Sequence, residues 1–232
     1  MSIPGHKKFN VGAASYAAHC NLMMKKAVVL LSGGMDSAVA LLIAKKAGYR
    51  PYCLTFDYGQ RHKKEISFAK KIAARARSQC VVLKIALPWK KSALLDKNMK
   101  DPENRRLSGK SHIPPTYVPP RKTIFLSFGL SFAEAIGARA VFIGANAIDF
   151  SGYPDCRPAY YKKFNELFKK AAKAKGIKIV TPLLYKTKEE IVWLGKRLGV
   201  DFNLTWSCYK GGSKSCGVCD ACRLRAKGFK TA

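Results

Sequence analysis

From Lys26 onward the hydrophobic positions alternate between two rhythms. Short apolar runs at Lys26–Leu31, Tyr52–Phe56, Val81–Leu87, Ala140–Gly144 and Ile177–Val180 are strand-length and read as buried β-strands. Between them the spacing turns helical. Val39, Leu42, Ile43 and Lys46 follow it over Ala38–Ala47, and Gly48 supplies the stop. His62–Arg77 sets Ile66, Ala69, Ile72, Ala73 and Ala76 on one face. Thr123–Ile136 carries Ile124, Phe125, Leu126, Phe128, Leu130 and Phe132, apolar on nearly all sides, which predicts a central helix buried all round. Pro158 suits the first turn of a helix whose inner face is expected to be Tyr161, Phe164, Leu167, Phe168 and Ala171. Thr187-Lys188-Glu189-Glu190 has capping-box spacing, followed by a stripe of Ile191, Leu194 and Leu198. Such repeats predict an α/β fold, a doubly wound parallel five-stranded sheet of Rossmann-like type. Ligands bind these sheets at the carboxyl ends of the strands, where loops 32–37, 57–62 and 144–157 are expected.

The rhythm fails in three places. Residues 1–23 lack periodicity and acids, and read as a disordered N-terminal extension or an upstream start before Met23 or Met24. Pro88–Pro120 holds six of the eleven prolines and is expected to be a mobile insert over the site. Residues 207–232 gather cysteines into a small C-terminal module, leaving 24–206 as the α/β domain.

One strand–turn–helix junction carries candidate chemistry. Leu31-Ser32-Gly33-Gly34-Met35-Asp36-Ser37 joins the first strand to the first helix, so its backbone N–H groups form a nest at the positive end of a helix dipole. The two glycines permit close backbone approach, Ser32 and Ser37 add hydroxyls, and Asp36 is suited to capping the helix or to holding a metal ion against phosphates. No lysine follows, which excludes a Walker loop, and a third glycine is missing, which excludes a dinucleotide fingerprint. The plain alternative is an ordinary Gly-Ser turn. Asp36 is expected to serve ligand rather than core, so its removal should leave melting unchanged.

Charge widens the choice of partners without settling it. With 43 Lys+Arg against 14 Asp+Glu, the net charge of +29 attracts polyanions and small anions alike. The lysines are scattered over helices rather than gathered with aromatics, so direct RNA binding is possible but not favoured. No run of 18 apolar residues exists, so no membrane association is expected. Of eight cysteines, Cys20, Cys53, Cys80 and Cys156 stand singly, while Cys208, Cys216, Cys219 and Cys222 lie within fifteen residues around Gly211, Gly212 and Gly217. In a reducing cytoplasm, four such thiols point to one structural Zn²⁺, with disulfides or an iron–sulfur cluster as the alternatives. Arg223, Arg225 and Lys227 either offset the thiolate charge or form a basic tail.

Taken with Tyr58-Gly-Gln-Arg-His62, Thr116-Tyr-Val-Pro119 with Arg121, Asp149-Phe-Ser-Gly-Tyr-Pro-Asp-Cys-Arg157 and Thr181-Pro-Leu183, the Ser-Gly-Gly-Met-Asp-Ser loop and the cysteines resemble the 7-cyano-7-deazaguanine (preQ0) synthase family of the ATP-pyrophosphatase superfamily. The resemblance runs from Lys26 to about Phe229. It implies an ATP-dependent ligase that turns 7-carboxy-7-deazaguanine and ammonia into the nitrile, through an adenylate and an amide, for queuosine or archaeosine. It implies ATP and Mg²⁺ at Leu31, Ser32, Gly33, Gly34, Met35, Asp36, Ser37 and Phe56. Asp36, Arg121 and His62 would be catalytic, and Asp149, Tyr153, Asp155 and Arg157 would bind substrate. A cytoplasmic homodimer is expected. Two stretches depart from the family pattern, Pro120-Arg121-Lys122 and Ala145-Asn-Ala-Ile148. The alternative is an enzyme of the same superfamily that modifies tRNA or another macromolecule directly.

Overall fold

The computed structural model describes residues 24–89, 91–96, 98–100, 103, 113–147, 153–230 and 232. The expectations for residues 1–23 and for Asp149 lie outside the described residues. Five parallel strands, β1 (Lys25–Leu30), β2 (Tyr49–Asp57), β3 (Gln79–Lys84), β4 (Ala140–Ile143) and β5 (Lys178–Val180), form one sheet in the order β3-β2-β1-β4-β5. The expected doubly wound sheet is thus the fold. Helices α1 (Met35–Lys46) and α2 (Lys64–Arg75) carry the chain outward from β1 to β3. The chain then returns through α3 (Arg121–Ala135) to start β4 on the other side of β1. Strand order therefore reverses between β1 and β4, where Leu30 lies beside Ile143, and the crevice opens there. Helices α4 (Pro158–Ala171), α5 (Lys188–Arg197) and α6 (Asp220–Lys230) complete the chain.

Alternation along the strands makes two cores. Val28, Leu30, Leu54, Phe56, Val141 and Ile143 point to the face covered by α3 and α4. Ala27, Val29, Leu31, Cys53, Ala140 and Phe142 point to α1 and α2. A third cluster, Met35, Val39, Leu183, Ile191, Val192 and Phe202, seats α5 against α1. The capping box of α5 is formed: Thr187 Oγ1 accepts from Glu190 N at 3.3 Å, and Thr187 N donates to Glu190 Oε2 at 2.7 Å.

Two helices differ from the pattern reading. In α3 the fully buried positions are Leu126, Gly129 and Ala133, while Phe128 is 38% exposed. Gly129 explains the one-sided packing: a Cβ there would fall 3.1 Å from Val141 and 3.3 Å from Leu30, so the helix lies close on the sheet along this row, with Phe125, Leu130 and Phe132 half-buried at its flanks and Phe128 turned outward. In α4 the inner face is Tyr161, Phe164 and Phe168, but Leu167 is 51% exposed and Ala171 is exposed too. The face follows the i, i+3, i+7 row of the three aromatics, and Leu167 lies off it.

The described parts of 88–120 are built into the structure. Ser92, Ala93 and Val118 are buried, Ala93 N donates to Pro115 O at 2.8 Å, and Arg61 Nη1 donates to the carbonyls of Ala93 and Met99, both at 3.0 Å. Among the described residues no helix is long and apolar enough to cross a membrane.

Candidate active site and cysteine cluster

Leu31 extends the β1 ladder by one bond, donating to Leu54 O at 2.9 Å, and the chain then turns sharply. Ser37 Oγ closes that turn. It accepts from Ser32 N at 3.2 Å, lies 3.1 Å from Ser32 Oγ and donates to Gly34 O at 2.9 Å. Gly33 sits at φ +83°, and a Cβ on it would fall 2.2 Å from the carbonyl oxygen of Glu65 in the first turn of α2. Only glycine satisfies both the angle and the approach. Across the crevice, a Cβ on Gly144 would fall within 2.8 Å of the Asp36 and Ser37 backbone, so the start of α1 lies directly over the end of β4. The result is a tight strand–turn–helix loop whose Ser32, Gly34, Asp36 and Ser37 face a cavity.

Asp36 has a partner that sequence reading missed. Its Oδ2 accepts from Lys188 Nζ at 2.7 Å, and the lysine side chain is only 9% exposed. Lys188 sits within the capping box, where its spacing gives no sign of burial. The signal is three-dimensional, the packing of α5 on α1.

The loop forms one wall of a cavity of about 310 Å³, within the size range of small-molecule sites. Leu31, Ser32, Gly34, Asp36, Ser37, Phe56, His62, Arg121, Tyr153 and Asp155 all line it. Gly33 is turned toward α2, and Met35 is 3% exposed within the third core cluster, so neither side faces the cavity. Arg157 is exposed at the N-cap of α4 and is not brought to the wall either. Phe56 is stacked on Phe125 with ring centroids 3.9 Å apart. Arg121 Nη1 donates to Tyr58 Oη at 2.6 Å. Burial works against its charge, but Tyr58, Glu65, Tyr153 and Asp155 around it outweigh that and hold the guanidinium firmly protonated. Burial pushes the Tyr58 phenol up to about 12.

The wall around Tyr153 and Asp155 combines residues expected from the sequence with others that were not. Tyr153 Oη lies 2.8 Å from Thr116 Oγ1, and its ring centroid is 6.1 Å from that of Tyr117. Asp155 Oδ2 accepts from Lys122 N at 3.0 Å, so one of its oxygens caps α3. Lys122 Nζ donates to the buried Cys156 Sγ. Lys122, Glu65 and Tyr117 line the same cavity, and sequence reading proposed none of them for the site.

Cys208, Cys216, Cys219 and Cys222 bring their sulfurs within 4.8 Å of one another, and none is in a disulfide. Four thiolates about 2.3 Å from a tetrahedral zinc would lie roughly 3.8 Å apart, and Cys216 Sγ is 4.0 Å from Cys222 Sγ. Backbone amides of Cys216 and Cys219 point at the sulfurs of Cys208 and Cys216, both at 3.4 Å, as ligand thiolates require. The donor set fits a metal. Arg225 bonds Thr205 Oγ1 at 2.6 Å and Phe202 O at 2.8 Å, stapling α6 to the preceding turn, while the Cys222 sulfur also acts on its charge. The cluster adjoins the cavity. Trp206 N donates to Gly33 O at 2.9 Å, and a Cβ on Gly211 would fall 2.4 Å from the His62 ring.

Residues 26–232 match the family model described as "Queuosine biosynthesis protein QueC". The chain belongs to the QueC family. Family relatives similar to it include the 7-cyano-7-deazaguanine synthase of Picrophilus torridus, 50% identical over 212 residues, covering 90% of this chain and 89% of that one. The synthase of the same name from a Nostoc species is also 50% identical over 212 residues, with 88% and 92% covered. That of Saccharophagus degradans is 49% identical over 216 residues, with 90% and 94% covered.

Proposed function

We propose that this QueC-family chain is a 7-cyano-7-deazaguanine synthase, an ATP-dependent ligase converting 7-carboxy-7-deazaguanine and ammonia to the nitrile. One observation carries the reading. A single cavity places the glycine loop and Asp36 opposite Arg121, Tyr153 and Asp155. A carboxylate is a poor electrophile, and adenylation makes its oxygen a leaving group. The loop amides would hold the phosphates of ATP, and Lys188 beside Asp36 would add a positive charge where pyrophosphate departs. Phe56, on its stack with Phe125, would offer an apolar wall to adenine. Asp36 would hold Mg²⁺, which would neutralise phosphate charge. Arg121 is placed to orient the substrate carboxylate. Tyr153 would stack on the deazaguanine, while the second oxygen of Asp155, with Asp149, would accept from its N–H donors. His62 would support the cavity floor beside the cysteines. Cys208, Cys216, Cys219 and Cys222 would hold one structural Zn²⁺.

The organisation that goes with this reading is a nucleotide domain over 24–206, with the insert 88–120 above the site, and a zinc module over 207–232. The protein would work in the cytoplasm as a homodimer, with the outward side of α3 at Phe128 as the contact between copies. The test is incubation with ATP, Mg²⁺, ammonium and 7-carboxy-7-deazaguanine. A product whose mass reflects exchange of OH and one oxygen for a nitrile nitrogen is expected. ATP turnover that appears only when tRNA is added would favour direct RNA modification, for which the net charge of +29 is the supporting feature.

A further inference from the structure

Three carboxylates among the described residues line the cavity, and two are committed. Asp36 is paired with Lys188, and Asp155 caps α3 through Lys122 N. Glu65 is the third. Its Oε1 accepts from Gln60 Nε2 at 3.1 Å, the one hydrogen bond its carboxylate makes among the described residues. Gln60 is itself fixed, donating to Phe56 O at 3.1 Å and accepting from Tyr58 N at 2.8 Å. Glu65 thus projects from the first turn of α2 into the space between the glycine loop and Arg121, held from one side only. Arg121 acts on its charge from α3, with Tyr58 alongside, yet no direct ion pair joins the two.

The geometry points to Glu65 as the group that captures ammonium and removes its protons during C–N bond formation. This inference rests on the synthase reading above. Ammonia is mostly ammonium at neutral pH, and a chain with net charge +29 repels cations. Of the three carboxylates on the cavity wall, Glu65 is the one engaged neither by a lysine nor by a helix start, and it supplies local attraction and a place for the proton. Burial pushes the Glu65 carboxyl up, which brings its basicity closer to that of a working proton acceptor.

The protons balance in both halves of the reaction. In the first, Glu65 takes a proton from ammonium, and the nitrogen attacks the adenylated carbonyl. The C–N bond forms, the C–O bond to AMP breaks with its electron pair leaving on AMP, and the surplus N–H proton passes to Glu65 after it discharges to solvent. In the second, the amide oxygen attacks the α-phosphorus of another ATP and expels pyrophosphate while the nitrogen gives up one proton. The C–O bond to AMP then breaks with its electron pair leaving on AMP as the C≡N bond closes, and the last N–H proton, like the one before it, passes to Glu65 and from there to solvent. No oxidant or reductant is needed.

The test is Glu65→Gln, which keeps the shape and the bond to Gln60. ATP–pyrophosphate exchange driven by 7-carboxy-7-deazaguanine should stay within a few-fold of the parent, while amide formation at neutral pH falls by about 10²–10⁴-fold. Hydroxylamine, largely unprotonated at that pH, should give hydroxamate with a much smaller deficit. Parent-like amide formation would overturn the inference, and so would loss of exchange together with the amide. Failure of the unaltered protein to support exchange with this acid would instead sink the synthase reading. Should the glutamine variant not fold, Glu65→Asp serves. A raised KM for ammonium with unchanged exchange is expected, and an unchanged KM would refute the role.

Discussion

The glycine loop and the cysteine cluster are neighbours built on opposite principles. The loop is held from within: Ser37 bonds back to Ser32 and Gly34, and Gly33 and Gly144 press backbone against backbone. The cysteine segment has few apolar contacts of its own, and its buried members are largely the sulfurs themselves. Its shape is expected to depend on a metal held by those sulfurs. The difference teaches where each region is vulnerable, the loop to an added methyl group and the cluster to loss of an ion. They are also joined, through Trp206 N to Gly33 O and through Lys64 Nζ, which donates to Gly212 O at 2.6 Å and sits 3.8 Å from the Trp206 ring centroid.

The largest expected effect comes from the cluster. Cys219→Ser, or a strong chelator, should remove one zinc per chain and lower the melting temperature sharply, since structural zinc contributes on the order of 10 kcal/mol to small modules. Metal analysis and calorimetry check it. Nucleotide affinity should fall with the metal because of the Trp206 bond, and a metal-free chain binding ATP as before would break the link between the two regions.

Next is the loop. Gly33→Ala must both adopt φ +83° and push a methyl against the Glu65 carbonyl, so it should cost about 3 kcal/mol in urea unfolding and abolish ATP binding without loss of zinc. Somewhat smaller is Asp36→Ala. The expectation that this residue is free of any part in stability does not survive Lys188. Its removal leaves a nearly buried ammonium short of a carboxylate, costing about 2 kcal/mol after allowing for the partial exposure of Asp36, in addition to lost adenylation. Asp36→Ala with parent melting would show that Lys188 finds compensation elsewhere.

The smallest effect lies outside both regions. Asp57 is held below its ordinary value of 3.8 chiefly by its bond to Lys63, so its contribution is present above that pH and is lost as pH falls through the depressed value. Lys63 is well exposed, so Lys63→Ala should change stability by under about 1 kcal/mol and flatten the acid limb of the pH–stability curve only slightly.

The regions also differ in how legible they were in the chain. The strands, the loop and the four cysteines could be read because period, glycine spacing and cysteine spacing are local quantities. The one-sided packing of α3 could not, since it depends on Gly129 meeting Val141 from another element. Lys188 and Glu65 were hidden for a related reason. A charged residue in the first turn of an amphipathic helix looks solvated until the neighbouring helix, or the cavity, is known. Arg225 likewise read as charge offset for the thiolates or as a basic tail, and its bonds to Phe202 and Thr205 depend on a turn distant from it in the chain.

The sheet's two rims have a bearing on how the protein survives at high concentration. One rim is β5, three residues long with an exposed lysine at its start, and the other is β3, which begins and ends on exposed Gln79 and Lys84. Neither offers a long, flat, oily margin onto which a stray strand from another molecule could zip. Inclusion bodies formed by sheet-to-sheet growth are therefore an unfavoured outcome of overproduction.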